Sequence, residues 1–213
     1  MTEATTNVNP NVSGYMLNGT PLDNESLDSL FNQARTHSIW SDKLVSDEIV
    51  RQLYDLMKMA PTSFNMCPAR FIFVKSQEGK ERLKPHLVPG NLEKTMSAPL
   101  CVVIGYDLEF WKHLPRLFPY KDVRSMFNQD KVYTEYSAFR NGSLQGAYLI
   151  LAARAVGLDC GPMAGFDNRG IDQEFFSGTS IKSNFLCNLG YGLGKNLSPR
   201  APRFDFEEVC KIL

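Results

Sequence analysis

The sequence has few of the residues on which metal and hydrolytic sites depend. It contains three histidines among 213 residues, and they do not show the paired spacing of metal ligands. The five cysteines are odd in number, widely spaced and without a Cys-x-x-Cys pair, which indicates reduced thiols in the cytoplasm. A Gly-x-Ser-x-Gly motif is also absent. We therefore expect neither a metal site nor a hydrolase triad.

Charge and hydropathy argue against two kinds of partner. The 23 basic residues balance 23 acidic ones, so no overall positive field exists to attract nucleic acid. No apolar run approaches the length of a membrane span. Residues 1–25 lack the basic start and apolar stretch of a secretory signal. We expect a small-molecule partner, with no nucleic acid and no membrane.

The hydrophobic pattern predicts an α+β fold with few strands and a heavy covering of helices. With 43% hydrophobic residues, the chain can bury a substantial core. Strands are predicted at 70–75, 100–106 and 183–191, and the second is apolar throughout, so both of its faces should be covered. The predicted helices are 25–36, a helix that Ser46 caps, 78–87, 91–97, 133–156, 171–176 and 205–212.

Two helices carry additional signals. Pro89 and Gly90 predict a break before the helix at 91–97. The helix at 133–156 has small and apolar residues around much of its circumference, which predicts burial on several sides. Gly157 is a natural end for it.

The domain organisation is simple. Residues 1–24 are rich in Asn and Thr and predict a flexible arm, and residues 25–213 predict a single domain. Within it, residues 107–132 are rich in aromatic residues and proline but lack clean periodicity. This stretch predicts a partly helical lid.

The segment 60–70 is the strongest candidate for a ligand-binding loop. Pro61 and Pro68 prevent the preceding helix from continuing, and a predicted strand follows directly. The loop offers backbone N–H groups, the hydroxyls of Thr62 and Ser63 and the carboxamide of Asn65. Polar loops between two patterned elements are common ligand sites.

Five dispersed pieces of sequence resemble the nitroreductase family, the FMN-dependent NAD(P)H oxidoreductases, in the family order. They are ARTH at 34–37, APTSFNMCPAR at 60–70, GNLEK at 90–94, GPMAGFD at 161–167 and RAPR at 200–203. The resemblance covers about 27–209. Within the family, the chain more specifically resembles the malonic semialdehyde reductase subfamily of pyrimidine breakdown. It implies a three-layer sandwich, with a central, mostly antiparallel sheet covered by helices, in an intertwined homodimer with FMN at the interface.

The resemblance implies a phosphate site for FMN at one end of the ligand. Arg35 supplies a planar donor fork, Thr36 and His37 lie beside it, and Arg200 reaches in from the C-terminal segment. Many relatives have a basic residue where this chain has Ser198. Either Lys195 or Arg203 could supply that charge, and the sequence leaves this open.

The resemblance also implies contacts to the flavin ring from the same chain. Asn91 and Lys94, three residues apart on a helix, meet the pyrimidine edge, where the lysine stabilises the negative charge that reduction produces. Backbone at Pro162, Met163, Ala164 and Gly165 faces the ring, and the glycine permits close approach. Many relatives carry Glu where this chain has Ala164, which leaves substrate preference in doubt. We expect Arg35, Asn91 and Gly165 to line a common cavity.

The second subunit is expected to complete the site with the loop at 60–70. Pro61, Thr62, Ser63 and Asn65 correspond to positions that line the ring and ribityl chain. Cys67 stands where many relatives have Gln; it is either a packed structural thiol or a nucleophile, and the sequence around it offers no base.

The implied reaction is ping-pong hydride transfer through FMN from NADH or NADPH, with no catalytic side chain beyond the electrostatic role of Lys94. The subfamily resemblance implies reduction of a small aldehyde such as 3-oxopropanoate to 3-hydroxypropanoate, with Arg124 and Arg140 as candidate anchors for its carboxylate. Two alternatives stay open: a broad nitroaromatic or quinone reductase, and a flavin-binding protein without turnover.

Overall fold

The computed structural model describes residues 19–195 and 197–213, so most of the predicted arm lies outside the described residues. The first helix, α1 (Asn24–Leu27), begins at an Asp23 cap whose carboxylate accepts the Ser26 N–H at 2.7 Å, and one π-helical turn (Asp28–Asn32) extends it. The other helices are α2 (Asp47–Met57), α3 (Gln77–Leu83), α4 (Pro89–Met96), α5 (Leu114–Leu117), α6 (Ser125–Asn128), α7 (Lys131–Ala155), α8 (Asn168–Phe175) and α9 (Phe206–Val209).

A four-stranded sheet forms the centre of the fold. Its strands are β1 (Ala69–Val74), β2 (Leu100–Asp107), β3 (Asp159–Met163) and β4 (Ile181–Gly190). They lie in the order β1-β2-β4-β3, and every neighbouring pair is antiparallel. The predicted antiparallel sheet is therefore confirmed, and β1 and β3 form its two edges.

Helices cover both faces of the sheet, as the apolar run at 100–106 predicts. Alternate residues of β2 point to opposite faces. Leu100, Val102 and Ile104 pack in one core cluster with residues of α2 and α7. Cys101 and Val103 pack in a second cluster with residues of α3 and α8. The α+β three-layer sandwich is thus confirmed.

The predicted lid contains three short helical pieces: a 3₁₀ turn (Phe110–His113), α5 and α6. Its aromatic residues form a third core cluster over the first turns of α7, which includes Phe110, Phe127 and Ala138. Because the segment consists of four-residue pieces rather than one long helix, its sequence lacks a clean helical period.

Several predicted boundaries are wrong. The helix predicted at 25–36 ends at Asn32, and the one predicted at 205–212 has only four residues. Pro89 does not break the chain before α4 but starts that helix, because proline fits the first helical position. β3 was not predicted at all, and β4 begins at Ile181, two residues earlier than expected.

The long helix α7 buries only one side in the single chain, where burial on several sides was predicted. The side towards the sheet is made of small and polar residues, such as Ala138, Gly142 and Gly146. The opposite side leaves a stripe of large apolar residues exposed, which we call the α7 apolar face: Val132, Tyr133, Tyr136, Phe139, Leu144 and Tyr148. Across the described ranges, no helix is both long and apolar enough to cross a bilayer.

Candidate functional site

Four arginines line a cavity of about 550 Å³, which we call the arginine cavity. They are Arg35, Arg154, Arg200 and Arg203, and Thr36 and Ser198 share its lining. Within the described chain, none of the four forms an ion pair with a carboxylate. Guanidinium groups that converge without a carboxylate repel each other, so the arginine cavity favours an anion with several acceptor oxygens.

Backbone carbonyls hold these arginines in place. Arg35 Nη2 donates to the Ser198 carbonyl oxygen, and Arg200 Nη2 donates to Asn32 O at 2.6 Å and Ala34 O at 3.1 Å. Arg154 Nη1 donates to Leu30 O at 2.9 Å. Each guanidinium has five N–H donors, so these bonds position the groups and leave donors for a ligand.

His37 lies against the first residues of β3. Its backbone N–H donates to Cys160 O at 2.9 Å, and Nε2 lies 3.4 Å from Asp159 Oδ1. The ring is buried, and its Nδ1 has no hydrogen-bond partner among the described residues. Gly192 must be glycine here, because a Cβ would lie 2.1 Å from Nδ1. A buried ring nitrogen without a partner is uncommon in a folded protein. Here Nδ1 packs against Gly192, and His37 does not line the arginine cavity.

A second group of predicted residues meets where α4 begins and β3 ends. Asn91 Nδ2 donates to Gly165 O at 2.8 Å, and Val88 N donates to the same oxygen at 3.3 Å. A Cβ on Gly165 would lie 2.7 Å from Asn91 Nδ2, so the close approach requires glycine. Lys94 lies one turn further along α4, half-buried, and forms no ion pair with any described carboxylate.

The two groups lie at opposite ends of β3. Pro162 and Met163 close the strand, and Ala164 follows with an exposed side chain. Thr36 pairs with Cys160 at one end, and Gly165 contacts Asn91 at the other. Five extended residues span roughly 16 Å. The arginine cavity contains Arg35 but neither Asn91 nor Gly165, so the described part of the single chain does not show the common cavity that we expected. The edge strand β3 therefore connects the arginine cavity with the Asn91–Gly165 contact.

The backbone of the loop at 60–70 is strained, and the loop lies apart from the two groups of residues beside β3. Phe64, Asn65 and Cys67 have φ values of 51°, 48° and 39°, in the left-handed region. Each such residue costs about 1–3 kcal/mol, and this strain clusters at functional sites. Asn141 Oδ1 accepts the Ser63 N–H at 2.9 Å, and Asn65 Nδ2 donates to Leu117 O at 2.8 Å. The loop, which includes Pro61 and Thr62, precedes β1, three strands from β3 and therefore about 14 Å away across the sheet.

Among the described residues, no basic side chain forms a hydrogen bond with the Cys67 thiol. Its thiol donates to Asn65 Oδ1 at 3.3 Å and lies 3.8 Å from Thr62 Oγ1. Since neither neighbour accepts a proton at neutral pH, these contacts favour the structural interpretation over the nucleophile.

The two candidate substrate anchors differ. Arg124 forms a double hydrogen bond with Asp122 (Nε–Oδ1 3.0 Å and Nη2–Oδ2 2.7 Å), which lowers the pKa of that carboxyl to about 2. Its charge is therefore already compensated, and its prediction as an anion anchor loses support. Arg140 stacks over the Tyr136 ring at 4.0 Å on the exposed side of α7, with no described carboxylate partner.

Sequence reasoning missed two groups of residues. Arg154 enters the arginine cavity from the last turn of α7, and only the fold brings that turn beside Arg35. Trp40 and Asn188 both contact the backbone of Lys94. No motif marks them, because the contacts join segments distant in sequence.

The fold and the site together define a class: an α+β sandwich with a cationic cavity beside an edge strand. A family model described as the nitroreductase family matches residues 20–191. A Burkholderia lata protein provisionally named NADH dehydrogenase/NAD(P)H nitroreductase is 58% identical over 193 residues, which is 91% of this chain and 99% of that protein.

Solved structures share the fold. An Exiguobacterium sibiricum protein provisionally named a nitroreductase, in complex with FMN, has a TM-score of 0.79 at 20% identity; the match covers 91% of this chain and 99% of that one. A Staphylococcus epidermidis protein provisionally named an NAD(P)H:FMN oxidoreductase has a TM-score of 0.77 at 19% identity; the match covers 91% of this chain and 98% of that one. The chain belongs to the nitroreductase family, a family of oxidoreductases. The narrower subfamily stays a prediction.

Proposed function

We propose that the protein is an FMN-dependent NAD(P)H oxidoreductase. The observation that carries the proposal is the arginine cavity, whose four guanidinium groups have no described carboxylate partner and match a phosphate dianion. The relative from Burkholderia lata carries a name of this activity, and the Exiguobacterium structure contains FMN. When bound, FMN accepts a hydride from the nicotinamide and passes it to a substrate.

The residues of the arginine cavity would bind the phosphate. Arg35 and Arg200 supply paired donors, and Thr36 and His37 lie at the same end of β3. Arg203 lines the cavity and Lys195 does not, which favours Arg203 as the additional cation.

The residues at the far end of β3 would hold the ring. Asn91 and Lys94 would face its pyrimidine edge, with Pro162, Met163, Ala164 and Gly165 along the same side. Lys94 is a cation without a described carboxylate partner, so it can stabilise negative charge on a ligand. The span of β3 suits an extended ligand with a phosphate at one end and a planar ring at the other.

A homodimer would bring the loop at 60–70 into the same site. Within one chain, that loop and the β3 half of the site lie at opposite edges of the sheet. A second copy that placed its own loop beside the β3 edge would bring the two together. The α7 apolar face supports this, because large exposed apolar patches mark interfaces. Exposed Phe204 and Ile212 in the C-terminal segment add further uncovered apolar surface.

We propose a small aldehyde bearing a carboxylate, such as 3-oxopropanoate, as the substrate, with Arg140 as the candidate anchor. The aromatic lid gives the nitroaromatic or quinone alternative its support, since Phe118 and Tyr120 form an edge-on pair there. Steady-state rates with 3-oxopropanoate and with a nitrofuran distinguish the two.

The absorbance spectrum of the purified protein tests the proposal. We expect a yellow protein with one FMN per chain that bleaches on anaerobic addition of NADH or NADPH. A protein that binds FMN but keeps its colour with both nucleotides would be a flavin-binding protein without turnover. A protein that binds no FMN would contradict the proposal altogether.

A further inference from the structure

Helix α4 carries both Asn91 and Lys94, so its placement sets where their side chains point. The last carbonyl groups of any helix have no partner within the helix. The carboxyl end of α4 is contacted by side chains from α3, from β4 and from the segment around Trp40 that follows Arg35 in the chain. The position of the helix therefore depends on what binds those carbonyls.

Two buried side chains bind the carbonyl oxygen of Lys94 itself. Trp40 Nε1 donates to it at 2.9 Å, and Asn188 Nδ2 donates to it at 3.1 Å. Asn188 Nδ2 also lies 3.2 Å from Thr95 Oγ1. Trp40 comes from the segment after Arg35, and Asn188 from the central strand β4, so both are anchored in rigid parts of the fold.

Lys80 secures the next carbonyls. Its buried ammonium group donates to Met96 O at 3.1 Å and to the Ala98 carbonyl oxygen. Burial lowers the pKa of Lys80, and a cation at the carboxyl end of a helix is electrostatically favourable. Lys80 thus fixes the end of α4, while Trp40 and Asn188 act on the residue that bears the functional ammonium.

Asn188 bears a cost that packing alone does not explain. Its side chain is fully buried, and Oδ1 has no hydrogen-bond partner among the described residues. The amide cannot be reversed without cost, because the Lys94 carbonyl only accepts hydrogen bonds. A buried acceptor without a partner costs about 1–3 kcal/mol, and such violations are expected mainly at functional sites.

We propose that Trp40 and Asn188 are positioning residues that hold Lys94 against the bound flavin and so raise its reduction potential. The inference rests on the proposed function. When both donors bind the Lys94 carbonyl, the Cα–Cβ direction of Lys94 is fixed, and its ammonium can favour the negatively charged, reduced form of the ligand.

The test compares Asn188→Leu and Trp40→Phe with the unchanged protein. Trp40→Phe removes the indole N–H donor and keeps an aromatic ring. Asn188→Leu replaces the whole carboxamide, with its Nδ2 donors and the unpaired Oδ1, by an apolar side chain of similar size. We expect each variant to bind reduced FMN less tightly relative to oxidised FMN, so that the ratio of the two association constants (reduced over oxidised) falls about tenfold. For a two-electron couple, this lowers the midpoint potential of the bound flavin by about 30 mV. Lys94→Met sets the upper limit of the shift, and melting temperatures report on folding.

Matched controls are available in the same chain. Asn184 lies four residues earlier on β4 and donates to Ser143 Oγ at 2.9 Å, away from α4. Trp111 lies in the lid, and its indole N–H donates to no described group. Asn184→Leu and Trp111→Phe should leave the potential unchanged.

The outcomes separate this inference from the proposed function. If the unchanged protein binds no FMN, both are wrong. If it binds FMN and the potential of folded Trp40→Phe and Asn188→Leu equals that of the controls, only the inference is wrong. Should Asn188→Leu fail to fold, Trp40→Phe alone decides. A lower potential with an unchanged or higher melting temperature supports positioning, since a merely structural role would lower the melting temperature alone.

Discussion

Gly165→Ala should weaken FMN binding much more than it weakens the fold. A Cβ at this position would lie 2.7 Å from Asn91 Nδ2 and 2.8 Å from Val88 Cγ2, closer than such atoms approach. The φ of Gly165 lies outside the left-handed region, so the effect is steric. Relief requires the Asn91 and Val88 side chains to turn away or α4 to shift from β3. Either movement of Asn91 Nδ2 breaks its hydrogen bond to Gly165 O.

The magnitude follows from two contributions. Overpacking costs about 1–3 kcal/mol, and a lost hydrogen bond costs about 0.5–1.5 kcal/mol. If this cost weakens the free energy of FMN binding by about 2 kcal/mol, the dissociation constant of FMN rises about thirtyfold. If it instead lowers the free energy of unfolding by the same amount, the melting temperature drops by about 4–8 °C.

Fluorescence titration of the ligand-free protein with FMN measures the binding, and thermal denaturation measures the fold. Gly90→Ala is the control, because a Cβ there meets nothing within 4 Å and the residue lies in the same helix. That variant should bind FMN normally and be at least as stable as the unchanged protein, since alanine favours helix. Unchanged FMN affinity in a folded Gly165→Ala variant would refute the placement of the ring at this junction.

Three further predictions concern other parts of the protein. Arg35→Gln should lower FMN affinity at least tenfold and reduce its dependence on salt, because one charged contact to the phosphate is lost; binding titrations at two ionic strengths measure both effects. Leu144→Glu should give a monomer on gel filtration that has lost FMN, whereas Leu44→Glu, which is also exposed, should do neither; a monomer that keeps its flavin would contradict the shared site. The Asp122 carboxyl should stay ionised until the pH approaches about 2. The stability that its pair with Arg124 contributes is therefore present above pH 3.8 and lost as the pH falls towards 2. In Arg124→Gln, NMR titration should find the pKa of Asp122 shifted back towards 3.8.

The elements that the sequence predicts well have strong local signals. The strand β2 is a continuous apolar run, and Ser46 caps α2 by accepting the Ile49 N–H at 3.3 Å, as predicted. β3 was missed because it is five residues long and contains Gly161 and Pro162, which weaken any strand pattern. It exists because β4 pairs with it, and that pairing is tertiary.

The same division applies to the candidate site. The motif resemblance selected Asn91 and Gly165, which the fold brings into contact. It could not select Arg154 or Asn188, since their roles arise from contacts between segments far apart in sequence. Nor does any local pattern reveal that the loop at 60–70 and the strand β3 lie at opposite edges of the sheet within one copy.

That separation has a genetic consequence. In the proposed dimer, each site draws its loop from one copy and its α4 junction from the other. A chain damaged only in the loop and a chain damaged only at Gly165 would each be inactive alone. In a mixed dimer, however, one of the two sites would receive both intact halves and the other both damaged ones. Co-expression of two null alleles should therefore restore flavin binding to one site in each hybrid pair.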